Sequence, residues 1–145
     1  MNISEKINAL LEKKAYLIDI FPETVPQKDD NRYFAVEKYF RRNRSELDRK
    51  LIKIILKLYC YYDMTVVIQD KVIEAPQAEQ LIHLLERCFN GEPGSVCFIL
   101  NECDTMLTWD SDDLYMTVYN IEGEAKKMII QLVNAEGLFF CKAPL

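Results

Sequence analysis

The chain has little of what punctuates, cross-links or anchors a protein. Four glycines and five prolines in 145 residues leave few flexible hinges, and no internal repeat or low-complexity tract is present. The longest stretch without a charged residue is nine, Pro93 to Asn101, far below the roughly 20 that a membrane-spanning helix needs. The opening Met1-Asn2-Ile3-Ser4-Glu5 lacks the basic-then-apolar pattern of a secretory signal, so a cytoplasmic protein is expected. The five cysteines (Cys60, Cys88, Cys97, Cys103 and Cys141) are odd in number and contain no Cys-x-x-Cys pair. Reduced, buried thiols fit that pattern better than a disulfide framework. His83 is the only histidine, and any histidine-dependent chemistry must run through it.

What is present suffices for one domain. Half of the residues are apolar, and a chain of this length buries roughly 68–70% of its unfolded surface. Lys plus Arg is 18 against 23 Asp plus Glu, a net charge of −5 that argues against a general nucleic-acid coat or a polybasic membrane binder. That average hides a polarity along the chain. Residues 38–57 hold eight basic side chains (Lys38, Arg41, Arg42, Arg44, Arg49, Lys50, Lys53 and Lys57) against Glu46 and Asp48. Between Cys88 and Ala125 there is no Lys or Arg, and eight acids occur, among them Glu92, Glu102, Asp104, Asp110, Asp112 and Asp113.

Hydrophobic spacing predicts the elements. Ile3, Ile7, Leu10 and Leu11 share one helical face, with Asn2 and Glu5 placed as a capping box. Tyr16 to Phe21 reads as extended, and Pro22 to Asn31 as a surface loop. Tyr33 to Phe40, rich in aromatic and β-branched residues, is expected to be a strand. Ser45 is expected to cap a helix whose apolar face is Leu47, Leu51, Ile54, Ile55, Leu58 and Tyr62. Met64 to Gln69 reads as a strand. Pro76 suits the first turn of a helix carried by Ala78, Leu81, Ile82, Leu85, Cys88 and Phe89 and stopped by Asn90-Gly91. Strands follow over Ser95 to Asn101, Thr105 to Trp109 and Leu114 to Asn120, then a helix from about Glu122 to Ala135 and a strand from Leu138 to Lys142.

These elements predict a single compact α+β domain. Residues 1–31 form a helix, strand and loop, 32–63 a basic strand and helix, and 64–145 a core whose order matches the split βαβ, or ferredoxin-like, arrangement, with the N-terminal helix and strand expected to pack on it as an extension.

No stretch carries a catalytic signature, and neither a cofactor nor a metal is expected. Asp110-Ser111-Asp112-Asp113 starts like a calcium loop but lacks the turn glycine and the distal glutamate, and suits a hairpin connection. His83 and Cys88 are off-face on one helix and make a poor zinc pair. Tyr59, Tyr61 and Tyr62 suit either a pocket wall or a core rim. The leading expectation is a non-catalytic protein that recognises a basic protein, or a second copy of itself, through the acidic strand-hairpin region. Glu102, Asp104, Asp110, Asp112 and Asp113 would steer the partner, with Trp109 and Tyr115 as exposed anchors. The alternative is nucleic-acid contact through residues 38–57, where Tyr33, Phe34, Tyr39 and Phe40 interleave with the cations. Third is an enzyme centred on His83 and a cysteine.

Overall fold

A computed structural model describes residues 2–89 and 94–144. In chain order the elements are α1 (Ile3–Leu11), β1 (Ala15–Asp19), α2 (Arg32–Arg42), α3 (Arg44–Tyr61), β2 (Met64–Ile68), β3 (Lys71–Glu74) and α4 (Ala78–Cys88). β4 (Ser95–Leu100), β5 (Thr105–Asp110), β6 (Met116–Tyr119), α5 (Gly123–Ala135) and β7 (Phe139–Lys142) follow. The strands form one antiparallel sheet in the order β3-β2-β4-β5-β6-β1-β7. Among the described residues no helix is long and apolar enough to cross a membrane.

Strand alternation divides the core into two layers. On one face Ile18, Val66, Phe98, Leu107, Trp109, Met116 and Val118 pack under α3, α4 and α5 in a single cluster. Leu47, Leu51, Ile54, Ile55 and Leu58 of α3 are all buried there, as the spacing predicts. On the other face Ile99 and Met106 meet Leu10 of α1, with Ile3, Ile7, Cys97 and Tyr119 around them. α1 opens with the predicted capping box, in which the Asn2 side chain accepts from the Glu5 N–H at 2.8 Å. α5 ends at Gly137, whose φ of +74° suits glycine, and the Leu138 N–H turns back to the Val133 carbonyl at 3.1 Å.

Several expectations need correction. The ferredoxin-like order for residues 64–145 is not confirmed. β2 pairs with β4, the strand that follows its own helix, and β7 crosses to the far edge beside β1. The N-terminal β1 takes the place between β6 and β7, so it is part of the sheet rather than an extension packed on it. Residues 33–40 are helical. α2 has no buried residue, so there is no covered face for a strand's alternation to serve, and a Glu37–Arg41 pair at 3.7 Å forms at helical spacing. Ser45 is not a cap but lies inside α3. Asn43 occupies the junction, and its side-chain amide donates to the Tyr39 carbonyl at 2.9 Å, finishing α2 rather than starting α3. Pro76 lies before α4 rather than in its first turn, and its carbonyl accepts from the Tyr59 hydroxyl at 2.7 Å. Ile82 is exposed, and Leu84 is buried in its stead. β3, an exposed four-residue edge, is an addition to the predicted elements. The expected helix stop Asn90-Gly91 lies outside the described residues.

Two phenylalanines test this placement. Phe98 is fully buried and Phe34 is 66% exposed. Phe98→Ala is expected to cost about 3–5 kcal/mol of unfolding free energy, whereas Phe34→Ala stays within about 0.5 kcal/mol of the parent. Urea denaturation of both variants checks this, and comparable losses would contradict an outward-facing α2.

Candidate functional site

The acidic residues singled out in the sequence do not form one face. β5 runs between them, placing Glu102 and Asp104 at one end of the sheet and Asp110, Asp112 and Asp113 roughly 17 Å away at the other. Glu102 accepts from the Asp63 N–H at 2.8 Å, and Asp104 pairs with Lys6 at 2.9 Å. Asp110 accepts from the Ser95 hydroxyl at 2.7 Å and the Asp112 N–H at 3.0 Å, and these bonds hold its carboxyl below the usual range. Trp109 is no surface anchor. It is 4% exposed and stacks on Phe89 with ring centroids 3.9 Å apart. Tyr115 is half-buried beside the hairpin connection. Glu92 lies outside the described residues.

The basic segment folds back on the acidic one. Arg41 donates to the Asp112 carbonyl at 2.8 Å. Arg44 donates to the carbonyls of Ser111 at 2.9 Å and Asp113 at 3.0 Å, and its guanidinium lies 3.4 Å from Asp48 and 6.0 Å from the Trp109 ring centre. Lys50 reaches Glu46, while Lys53 and Lys57 converge on Glu136 at 4.0 and 3.3 Å. Lys38, Arg42 and Arg49 remain exposed without an ion pair among the described residues.

Where α2 meets the sheet, a groove opens. α1 covers β4 and β5 on its face and reaches only Tyr119 of β6, leaving the rest of the β6-β1-β7 part of that face without α1 over it. Leu17, Thr117 and Tyr119 floor a cavity of about 510 Å³. Its end wall is built by Tyr33, Glu37 and Arg41 of α2, by Asp19 and Phe21 where β1 finishes, and by Asp113 and Tyr115 of the hairpin connection. Phe21 and Tyr33 hold the two sides together, with centroids 6.1 Å apart.

Three carboxylates thus face one arginine, and that arginine is already engaged by Glu37 and the Asp112 carbonyl. Burial pushes the Asp19 carboxyl up even though the Ile20 N–H binds it at 2.6 Å. Burial and the neighbouring Asp110 and Asp112 push Asp113 up. The Tyr33 and Tyr115 hydroxyls are raised by burial and then by the nearby carboxylates. Burial leads each of these shifts, and neighbouring carboxylates add to it at Asp113, Tyr33 and Tyr115, with Arg41 pulling the other way at Asp113 and Tyr33.

Tyr33, Arg41, Asp113 and Tyr115 are the residues singled out in the sequence that the groove brings together. Asp19 and Phe21 carry no local signal, because β1 pairs with β6 across about a hundred residues, and Glu37 is hidden by the strand reading of residues 33–40. His83 is exposed on α4, and no side chain among the described residues orients its imidazole. No cluster of three or more His, Cys, Asp or Glu suited to a metal ion occurs among the described residues. Comparisons with protein-family models, curated proteins and solved structures find no match to this chain.

Arg44 gives this region its testable weakness. Asp48 is buried at 4%, and one of its oxygens has no hydrogen-bond partner, so Arg44 is its counter-charge. Burial pushes Asp48 up, with Arg44 pulling against it. A carboxyl raised in the folded state binds its proton more tightly there, so its contribution to stability falls as pH rises through the carboxylate range. Arg44→Met is expected to cost about 3 kcal/mol at neutral pH by leaving Asp48 uncompensated. The loss should shrink near the bottom of the carboxylate range, where Asp48 is protonated. Urea denaturation at the two pH values checks this, and a loss that grew on acidification would refute it.

Proposed function

We propose that this chain is a non-catalytic binding protein that captures a basic segment of a partner protein in the groove between α2 and the part of the β6-β1-β7 face that α1 leaves uncovered. The carrying observation is the composition of that one concavity, where Asp19, Glu37 and Asp113 face a single engaged arginine among Phe21, Tyr33, Tyr115 and Tyr119. Carboxylates attract a lysine or arginine, and aromatic faces hold the cation once it has shed water. This keeps Asp113 and Tyr115 from the acidic strand-hairpin reading and assigns Glu102, Asp104, Asp110 and Asp112 to long-range attraction. A cytoplasmic setting suits the five free cysteines.

The test is titration of short Lys/Arg-rich peptides by fluorescence anisotropy at low and high salt. The parent should bind saturably at low salt, and Asp19→Asn with Asp113→Asn should weaken binding about tenfold. Tyr115→Ala should weaken it further without changing the salt dependence. Binding that ignores both acidic substitutions sinks the reading.

One observation favours a second reading. α2 leaves Phe34 66% and Tyr39 57% exposed beside Lys38 and Arg42, a surface on which single-stranded nucleic acid could stack and pair its phosphates. In the same assay, single-stranded oligonucleotide binding that Phe34→Ala and Arg42→Gln abolish would place the function on that face instead.

A further inference from the structure

β1 also presents a second, oppositely charged environment on its other face. Tyr16 is 8% exposed, and its ring stacks on Phe140 at a centroid distance of 4.9 Å. Lys126 of α5 donates to the Tyr16 hydroxyl at 3.0 Å, with its ammonium 4.5 Å from the ring centre. The Lys14 ammonium lies 5.4 Å from the same centre. Lys142 of β7 is the register partner of Tyr16, which sets their Cβ atoms roughly 5 Å apart on one face.

None of these three lysines forms an ion pair among the described residues, although carboxylates outnumber cations in the chain. The nearest contrast is Lys127, one residue on, which pairs with Glu124 at 3.3 Å. The Lys126 and Lys14 ammonium groups gathered at one hydroxyl repel each other, Lys142 adds a third positive charge at the neighbouring register position, and an anion among them relieves that repulsion. Lys126 stands in the second turn of α5, where a side chain leans toward the positive end of its helix. The Tyr16 oxygen accepts from Lys126, so its own O–H is left to donate. The two ammonium groups also hold that hydroxyl below its ordinary pKa range.

We propose that Lys14, Tyr16, Lys126 and Lys142 form a binding site for a phosphate-class oxyanion. Every polar group in the cluster can donate a hydrogen bond, three carry positive charge, and the hydroxyl is fixed by a buried, stacked ring. That is the donor set a tetrahedral dianion uses. The anion is either free phosphate or a phosphoryl group carried on a protein side chain.

Isothermal titration in chloride-matched buffer tests this with two probes, inorganic phosphate and a phosphoserine peptide with its unmodified counterpart. Saturable binding of at least one phosphorylated probe is expected. Lys126→Gln with Lys142→Gln should weaken it about tenfold or more, and Tyr16→Phe, which keeps the ring stack, about threefold. A phosphopeptide that binds more tightly than both phosphate and the unmodified peptide assigns the site to a modified partner. Equal affinity for phosphate and the phosphopeptide assigns it to the free anion. No saturable binding of either probe overturns the site, as does binding that the double lysine variant leaves unchanged. Thermal unfolding of each variant at the parent's midpoint would show that weakened binding is not unfolding. The outcome is independent of the groove, whose residues lie on the opposite face of β1.

Discussion

The arrangement of the groove rests on one guanidinium, that of Arg44. It sits where α2 gives way to α3, with a single residue, Asn43, between the two helices. From there it meets two carbonyls of the β5–β6 connection, the Asp48 carboxylate, and the face of Trp109. Backbone carbonyls at a hairpin tip need donors, and a planar, permanently charged group with five N–H bonds can serve several partners at once. Trp109 in turn stacks on Phe89 at the end of α4, so the same contact tethers the tip to the core. Among the described residues the one other side-chain hydrogen bond from this region to residues 111–113 comes from Arg41, which lies on the exposed helix. The groove wall formed by α2 and the hairpin therefore inherits its position from Arg44.

The second constraint is unequal coverage of the sheet. One face lies under three helices, and the interior strand β4 is apolar from Val96 to Leu100 because α1 covers part of the other face too. α1 is only nine residues long, about 14 Å, too short to cover seven strands. The uncovered strands answer with mixed side chains, Leu17 and Thr117 beside Tyr119, and the acidic ends of β1 and the hairpin collect around them. A cavity forms here because helix length, and not a loop insertion, runs out.

Much of this was legible in the sequence, and the illegible part has a physical cause. Periodicity located α1, α3, α5 and the strands β2, β4, β5 and β6, because each buries a stripe or an alternate row and the pattern follows from burial. It failed for residues 33–40 since no residue of α2 is fully buried and only Phe40 packs on the core, and β propensity then spoke for Tyr33, Phe34 and Tyr39, which the fold leaves exposed. Caps were legible where side chain and backbone cooperate locally, as with Asn2 and Glu5. They were not at Asn43, where one side chain has two helix ends to choose between. The charge polarity was visible, yet its resolution was not. Whether Arg41 and Arg44 face solvent or residues 111–113 is decided by a chain reversal spanning about seventy positions.

The net charge of −5 then acquires a spatial meaning through β1 alone. Alternation sends Leu17 and Asp19 toward the groove with Glu37 and Asp113, and sends Tyr16 toward Lys126 and Lys142. One strand therefore separates an acidic concavity from a lysine cluster by little more than the thickness of a sheet. Asp19 is raised by burial, and the Tyr16 hydroxyl is lowered by Lys126 and Lys14, so each shift takes its cause from its own side of the sheet. Strand alternation, and not charge, keeps the two environments apart, because a one-residue step along β1 turns the side chain to the other face.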